Sequence, residues 1–141
     1  MKNIFKVKSP RFILLDDDLC ALEMAKMLIR NYSQYAEIIT FSAAKEAIDY
    51  FEAGSFMVKH KKTVFLTDLH MPGIDGFMVL DRIEGAFRAI QDRLHVFVVS
   101  GAACPEEILK VSSYKSVIGF LNKPLSKTKM EQIIDAIEYP L

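Results

Sequence analysis

Thr63-Val64-Phe65-Leu66-Thr67-Asp68-Leu69-His70-Met71-Pro72-Gly73-Ile74-Asp75-Gly76 is the stretch on which the fold of this chain turns. Val64 to Leu66 is a short apolar run that reads as a buried strand, and a carboxylate, Asp68, stands at its end. A Met-Pro-Gly turn and an Asp-Gly pair follow and lead into an amphipathic segment. A lone carboxylate is costly to bury, so one at a strand tip must be paired, hydrated or functional. What matters next is which other residues converge on Asp68.

On the N-terminal side, Phe12 to Leu15 is a second apolar run, ending in Asp16-Asp17-Asp18. Ala21, Met24, Ala25 and Leu28 then repeat at helical spacing. Ile38 to Phe41 is a weaker strand. Ser42 is placed to cap a helix with the stripe Ala44, Ala47, Ile48 and Phe51, closed by Gly54. On the C-terminal side, the helix after Gly76 has the clearest stripe: Val79, Leu80, Ile83, Ala86, Phe87 and Ile90. His95 to Val99 forms a fourth strand ending at Ser100-Gly101. A helix over Glu106 to Tyr114, with Pro105 at its first position, has only Ile108, Val111 and Leu109 to bury. Val117 to Leu121 is a fifth strand ending at Asn122-Lys123-Pro124. The last helix runs from a Ser126 cap through Met130, Ile133, Ile134 and Ile137. The seven methionines read as core filler.

Strands alternating with helices imply a parallel sheet covered on both faces. The expected class is α/β, a flavodoxin-like (βα)5 three-layer sandwich with a five-stranded parallel sheet. Strands at Phe12, Val64 and Val96 are apolar on every residue and belong in the centre; the Ile38 strand belongs at an edge. Order 2-1-3-4-5 follows, with the site beyond the carboxyl ends of the strands. Those ends carry Asp16-Asp17, Asp68, Ser100 and Lys123. Two unit charges about 4 Å apart interact by about 4 kcal/mol at an effective dielectric near 20, so such an acid cluster needs a cation. Hard oxygen ligands favour Mg²⁺, and no Cys/His cluster offers zinc an alternative.

Bulk properties narrow the class further. At 141 residues, 51% apolar and 26% charged, the chain reads as one globular domain. Zero formal net charge gives no case for nucleic acid or an anionic membrane. Two cysteines without motif spacing, no signal core and no membrane-length run point to a cytoplasmic protein. Residues 1–10 read as a flexible lead-in and 11–139 as the folded domain. With no effector domain, and with Met1 and Pro140-Leu141 at its ends, a stand-alone protein is expected.

Four segments together resemble the receiver domain of two-component response regulators: Leu14 to Asp18, Asp68 to Gly76, Val98 to Gly101, and Phe120 to Pro124. The resemblance covers nearly the whole chain. It implies that Asp68 accepts a phosphoryl group from a histidine kinase, a histidine phosphotransfer protein or a small phosphodonor. Asp17, Asp68 and the backbone carbonyl of His70 would bind Mg²⁺, with Asp16 acting through water. Lys123 would pair with Asp68 and then with a phosphate oxygen. Ser100 would turn its hydroxyl onto the phosphoryl group, and Phe120 would follow as the aromatic switch. A cis Lys123–Pro124 bond is also implied, as is an output face made by the fourth helix, fifth strand and fifth helix. The protein would be no conventional enzyme, promoting only its own phosphorylation and dephosphorylation. It would act on an unidentified protein target as a monomer or weak dimer.

Three features depart from the common family pattern. His70 occupies a variable position, Phe120 lacks the hydroxyl many relatives have, and the Gly54 to Thr63 connection is long. The rival expectation is a Mg²⁺-dependent phosphohydrolase of haloacid-dehalogenase type, built on Asp16-x-Asp18, Ser100 and Lys123. That site needs an acidic pair after the lysine, where only Glu131, Asp135 and Glu138 remain.

Overall fold

The structure, a computed structural model, describes residues 10–54, 62–73, 75–87 and 93–138. Residues 1–9 of the expected lead-in, most of the long connection after Gly54, Ile74 and Ile90 lie outside the described residues. Strands β1 (Arg11–Leu15), β2 (Glu37–Phe41), β3 (Thr63–Thr67), β4 (Leu94–Ser100) and β5 (Val117–Asn122) form the sheet. They alternate with helices α1 (Leu19–Tyr32), α2 (Ala44–Glu52), α3 (Gly76–Phe87), α4 (Pro105–Val111) and α5 (Lys127–Glu138). Every pairing is parallel and the order is β2-β1-β3-β4-β5, with β2 at an edge as expected.

The continuous apolar strands follow from having two covered faces, since successive side chains point to opposite sides. Ile13, Leu15, Phe65, Val96 and Val98 pack with Phe51 of α2 and Val79, Leu80 and Ile83 of α3. Phe12, Leu14, Val64, Leu66, Phe97 and Val99 pack with Ile29 of α1 and Ile133 and Ile137 of α5.

The helices correct several expectations. Helix α1 buries Leu22, Ala25 and Ile29, a stripe one residue on from the expected one, and leaves Met24 exposed. Both phases share Ala25, and apolar side chains on the outer face blur the period. Asp18 caps this helix, accepting from the Cys20 and Ala21 N–H groups. Ala43 occupies the N-cap of α2 and no side chain caps it, so Ser42 does not take the expected role. Helix α4 stops at Val111, three residues short of Tyr114. There the Ser112 and Ser113 hydroxyls donate to the Leu109 and Lys110 carbonyls, satisfying locally groups a longer helix would use. Leu109 is 74% exposed rather than buried. Ser126 caps α5 as expected, accepting from Lys129 N. Met130 is core filler, whereas Met24, Met27 and Met78 are exposed.

A Cβ at Gly119 in β5 would lie 2.9 Å from the Phe97 ring, closer than side chains tolerate. Gly119→Ala is therefore expected to cost about 1–3 kcal/mol by overpacking. Urea unfolding checks this, through a lower midpoint at unchanged slope.

Candidate functional site

Parallel register assembles the site before any side chain matters. Leu15 pairs with Thr67, so Asp16 and Asp68 leave β1 and β3 side by side, and Asp68 N donates to Leu15 O. Ser100 pairs with Asn122, and the next residue, Lys123, donates its N–H to Ser100 O. The Lys123–Pro124 bond is cis, as the resemblance implied.

Lys123 Nζ lies 2.6 Å from Asp16 Oδ2 and 3.0 Å from Asp68 Oδ2. The other oxygen of Asp68, Oδ1, accepts from Leu69 N at 2.7 Å and His70 N at 3.3 Å. Asp16 Oδ1 accepts from Asp18 N. Asp16 and Asp68 are buried, while Asp17 is exposed beside them. One oxygen from each of Asp16, Asp17 and Asp68 falls within 4.8 Å of the others. Burial drives the Asp16 carboxyl above its usual range, against the hydrogen bonds of Lys123 and Asp18. Burial alone would pull Lys123 down, but hydrogen bonds and charges from both aspartates outweigh it and leave the ammonium raised. One cation shared between two carboxylates thus leaves Asp16 incompletely compensated.

A cavity of about 240 Å³ opens beside this cluster, between Cys20, Ala21 and Met24 of α1 and Pro124 and Leu125 after β5. Ser100 is fully buried, and its Oγ has no hydrogen-bond partner among the described residues. An unpaired buried hydroxyl costs about 1–3 kcal/mol, so Ser100 departs from the rule that buried polar groups are paired. Phe120 is half-buried and packs on the same core cluster as Tyr114 and Val117.

Two residues escaped the sequence-based expectations. A Cβ at Gly76 would lie 2.5 Å from Asp68 O and 2.6 Å from Leu69 Cα, so only glycine lets α3 start against the Asp68 loop. Gly76 N also donates to Leu69 O. A helix opening on its weakest former was the available signal. Glu107 of α4 meets His70 Nε2 through Oε2 at 2.9 Å and accepts from Cys104 N through Oε1. Those two contacts hold its carboxyl below the usual range, the Cys104 N–H being the larger cause. Nothing supports the haloacid-dehalogenase alternative: Glu131, Asp135 and Glu138 are exposed on α5, and the carboxylates that cluster are Asp16, Asp17 and Asp68.

Lys123→Met would leave Asp16 and Asp68 facing each other, with an expected loss of about 1–3 kcal/mol at neutral pH. Because the carboxyl of Asp16 is raised in the fold, its protonation favours the folded state, so the deficit should shrink as pH falls and grow as pH rises. Urea unfolding of wild type and variant across acidic to neutral pH reads both trends.

Comparison with known proteins agrees with this arrangement. The chain superposes on a two-component response regulator from Cytophaga hutchinsonii with TM-score 0.80 and 21% identity, covering 93% of this chain and 98% of that one. A response regulator receiver protein from Dyadobacter fermentans gives TM-score 0.78 and 25% identity over 92% and 98%. Among curated proteins, none matches. Residues 12–135 match the family model of the response regulator receiver domain, and the chain belongs to that family of phospho-accepting signalling domains.

Proposed function

We propose that Asp68 is the phosphoacceptor of a switch that a histidine kinase or phosphotransfer protein charges. The observation that carries this is the hold on Asp68: two backbone N–H groups on Oδ1 and Lys123 on Oδ2, at a strand tip beside an apolar cavity. An oxygen of Asp68 attacks the phosphorus of a phosphohistidine. The new O–P bond forms as the N–P bond breaks, and the imidazole leaves with the electron pair and takes up a proton. The product is an acyl phosphate on Asp68. Phosphoryl transfer needs chiefly alignment and charge neutralisation, and Lys123 supplies a fixed cation for both.

Three carboxylate oxygens within 4.8 Å form a hard donor set that fits Mg²⁺. Asp17, Asp68 and the His70 backbone carbonyl would hold the ion directly, and Asp16 through water. When bound, it would neutralise charge on the phosphoryl oxygens. Exposed Leu19, Met24 and Met27 on α1 adjoin the cavity beside Asp68. A donor whose phosphohistidine reaches Asp68 must cover that rim, so this apolar patch is assigned to the donor.

The phosphoryl group adds about −1.5 to −2 charges and three strong acceptors. Ser100 Oγ, free of other bonds, and Lys123 turn toward it, and Phe120 moves into the space Ser100 leaves. Charge-assisted bonds contribute about 1.5–3 kcal/mol each. Two or three therefore reach the roughly 5.5 kcal/mol that carries a two-state element from about 1:99 to 99:1. The output face is α4, β5 and α5, where Ile108, Leu109 and Ile118 are exposed for a protein target. No helix among the described residues is long and apolar enough to cross a membrane.

Acetyl phosphate with Mg²⁺ should add one phosphoryl mass to the wild type and none to Asp68→Asn, read by intact mass spectrometry. Hydroxylamine should remove it. Labelling of Asp68→Asn to the wild-type extent would overturn the assignment, as would an unmodified wild type with every donor tried.

A further inference from the structure

The two ends of α4 are attached very differently. Just past its C-terminal end, the chain is tied to α3 several times over. Lys110 Nζ sits 4.3 Å over the Phe77 ring, and that ring stacks on Tyr114. Tyr114 OH donates to Asp81 Oδ1 at 2.6 Å. Glu84 accepts from Lys115 N at 2.9 Å through Oε2 and from Ser116 N and Oγ through Oε1. Ser116 is fully buried, so this corner is part of the core edge. At the N-terminal end, the polar attachment to the rest of the fold among the described residues is one exposed pair, His70 Nε2 with Glu107 Oε2. The one buried residue of the helix, Val111, is also its last, at the hinge end.

We propose that α4 is a lever, hinged at the Tyr114–Ser116 corner and latched shut by Glu107 on His70, and that phosphorylation of Asp68 opens the latch. This rests on Asp68 being the phosphoacceptor, and it adds which end of the output helix travels and what restrains it. Two effects act on the one contact. His70 belongs to the loop whose N–H groups hold Asp68 Oδ1, so loading Asp68 disturbs the residue that carries the latch. At the same time Ser100, drawn to the phosphoryl group, pulls the short segment from Gly101 to Cys104. Cys104 N is bonded to the same Glu107 carboxylate, which therefore carries strain from both sides. The hinge feels neither effect directly: its main hydrogen-bond partners are Asp81 and Glu84, well inside α3, and Val96, toward the opposite end of β4 from Ser100.

Hydrogen–deuterium exchange with the phosphoryl analogue beryllofluoride plus Mg²⁺ tests this. Wild type should exchange several-fold faster over residues 104–108 when loaded and be unchanged over 112–116. Glu107→Gln, His70→Asn and the double variant should each show the fast 104–108 pattern without beryllofluoride. Each should also bind beryllofluoride roughly fivefold more tightly, the equivalent of one hydrogen bond, with no further gain in the double variant. Tyr114→Phe should instead speed exchange over 112–116. Additive gains in the double variant, or resting exchange over 104–108 unchanged by Glu107→Gln, would overturn the lever. If wild type takes no phosphoryl group at all, the assignment of Asp68 falls instead. Resting exchange of the variants then still decides the latch: faster 104–108 supports it, no change overturns it.

Discussion

The ammonium of Lys123 lies between two buried carboxylates, those of Asp16 and Asp68, and most of the structure serves to put it there. Without a cation, these groups would push apart the ends of β1 and β3 that the sheet register holds together. The lysine arrives from β5, a strand two places away from β3, because β4 lies between them and Ser100 O accepts the Lys123 N–H. Compensation is partial: Asp16 remains raised by burial, and Asp17 adds a third carboxylate nearby. A site left short of positive charge has room for a further cation, the part given above to the proposed Mg²⁺.

Much of this was legible in the sequence because one rule governs the interior strands. Covered on both faces, they carry continuous apolar runs, and a polar residue after such a run falls at the sheet edge. Asp16 and Ser100 follow such a run directly, Asp68 and Lys123 one residue later, after Thr67 and Asn122, and register does the rest. The phase of α1 was not legible, since Leu19, Met24 and Met27 are apolar yet face outward. Nor was the end of α4, which is set by serine hydroxyls and by a tyrosine bonded to a different helix. Glu107 acts through a contact with the Asp68 loop that no local pattern encodes, and Gly76 through one hinted at only by a glycine at the start of α3.

The same contrast separates the fixed from the movable. Interior strands and the α2–α3 layer are bound by buried aliphatic and aromatic side chains, such as Phe51 against Phe65 at 4.8 Å between ring centroids. Helix α4 has one buried residue and polar attachments at its ends. Low-stability elements of this kind are where proteins place the parts that must respond.

Strand order has one more consequence, for the chain as it is made. The three aspartates follow β1 and β3 in the chain, and their lysine comes only after all five strands have emerged. A nascent chain that stops at β3 holds the acids without their counter-charge, and the missing partner is a residue yet to be translated.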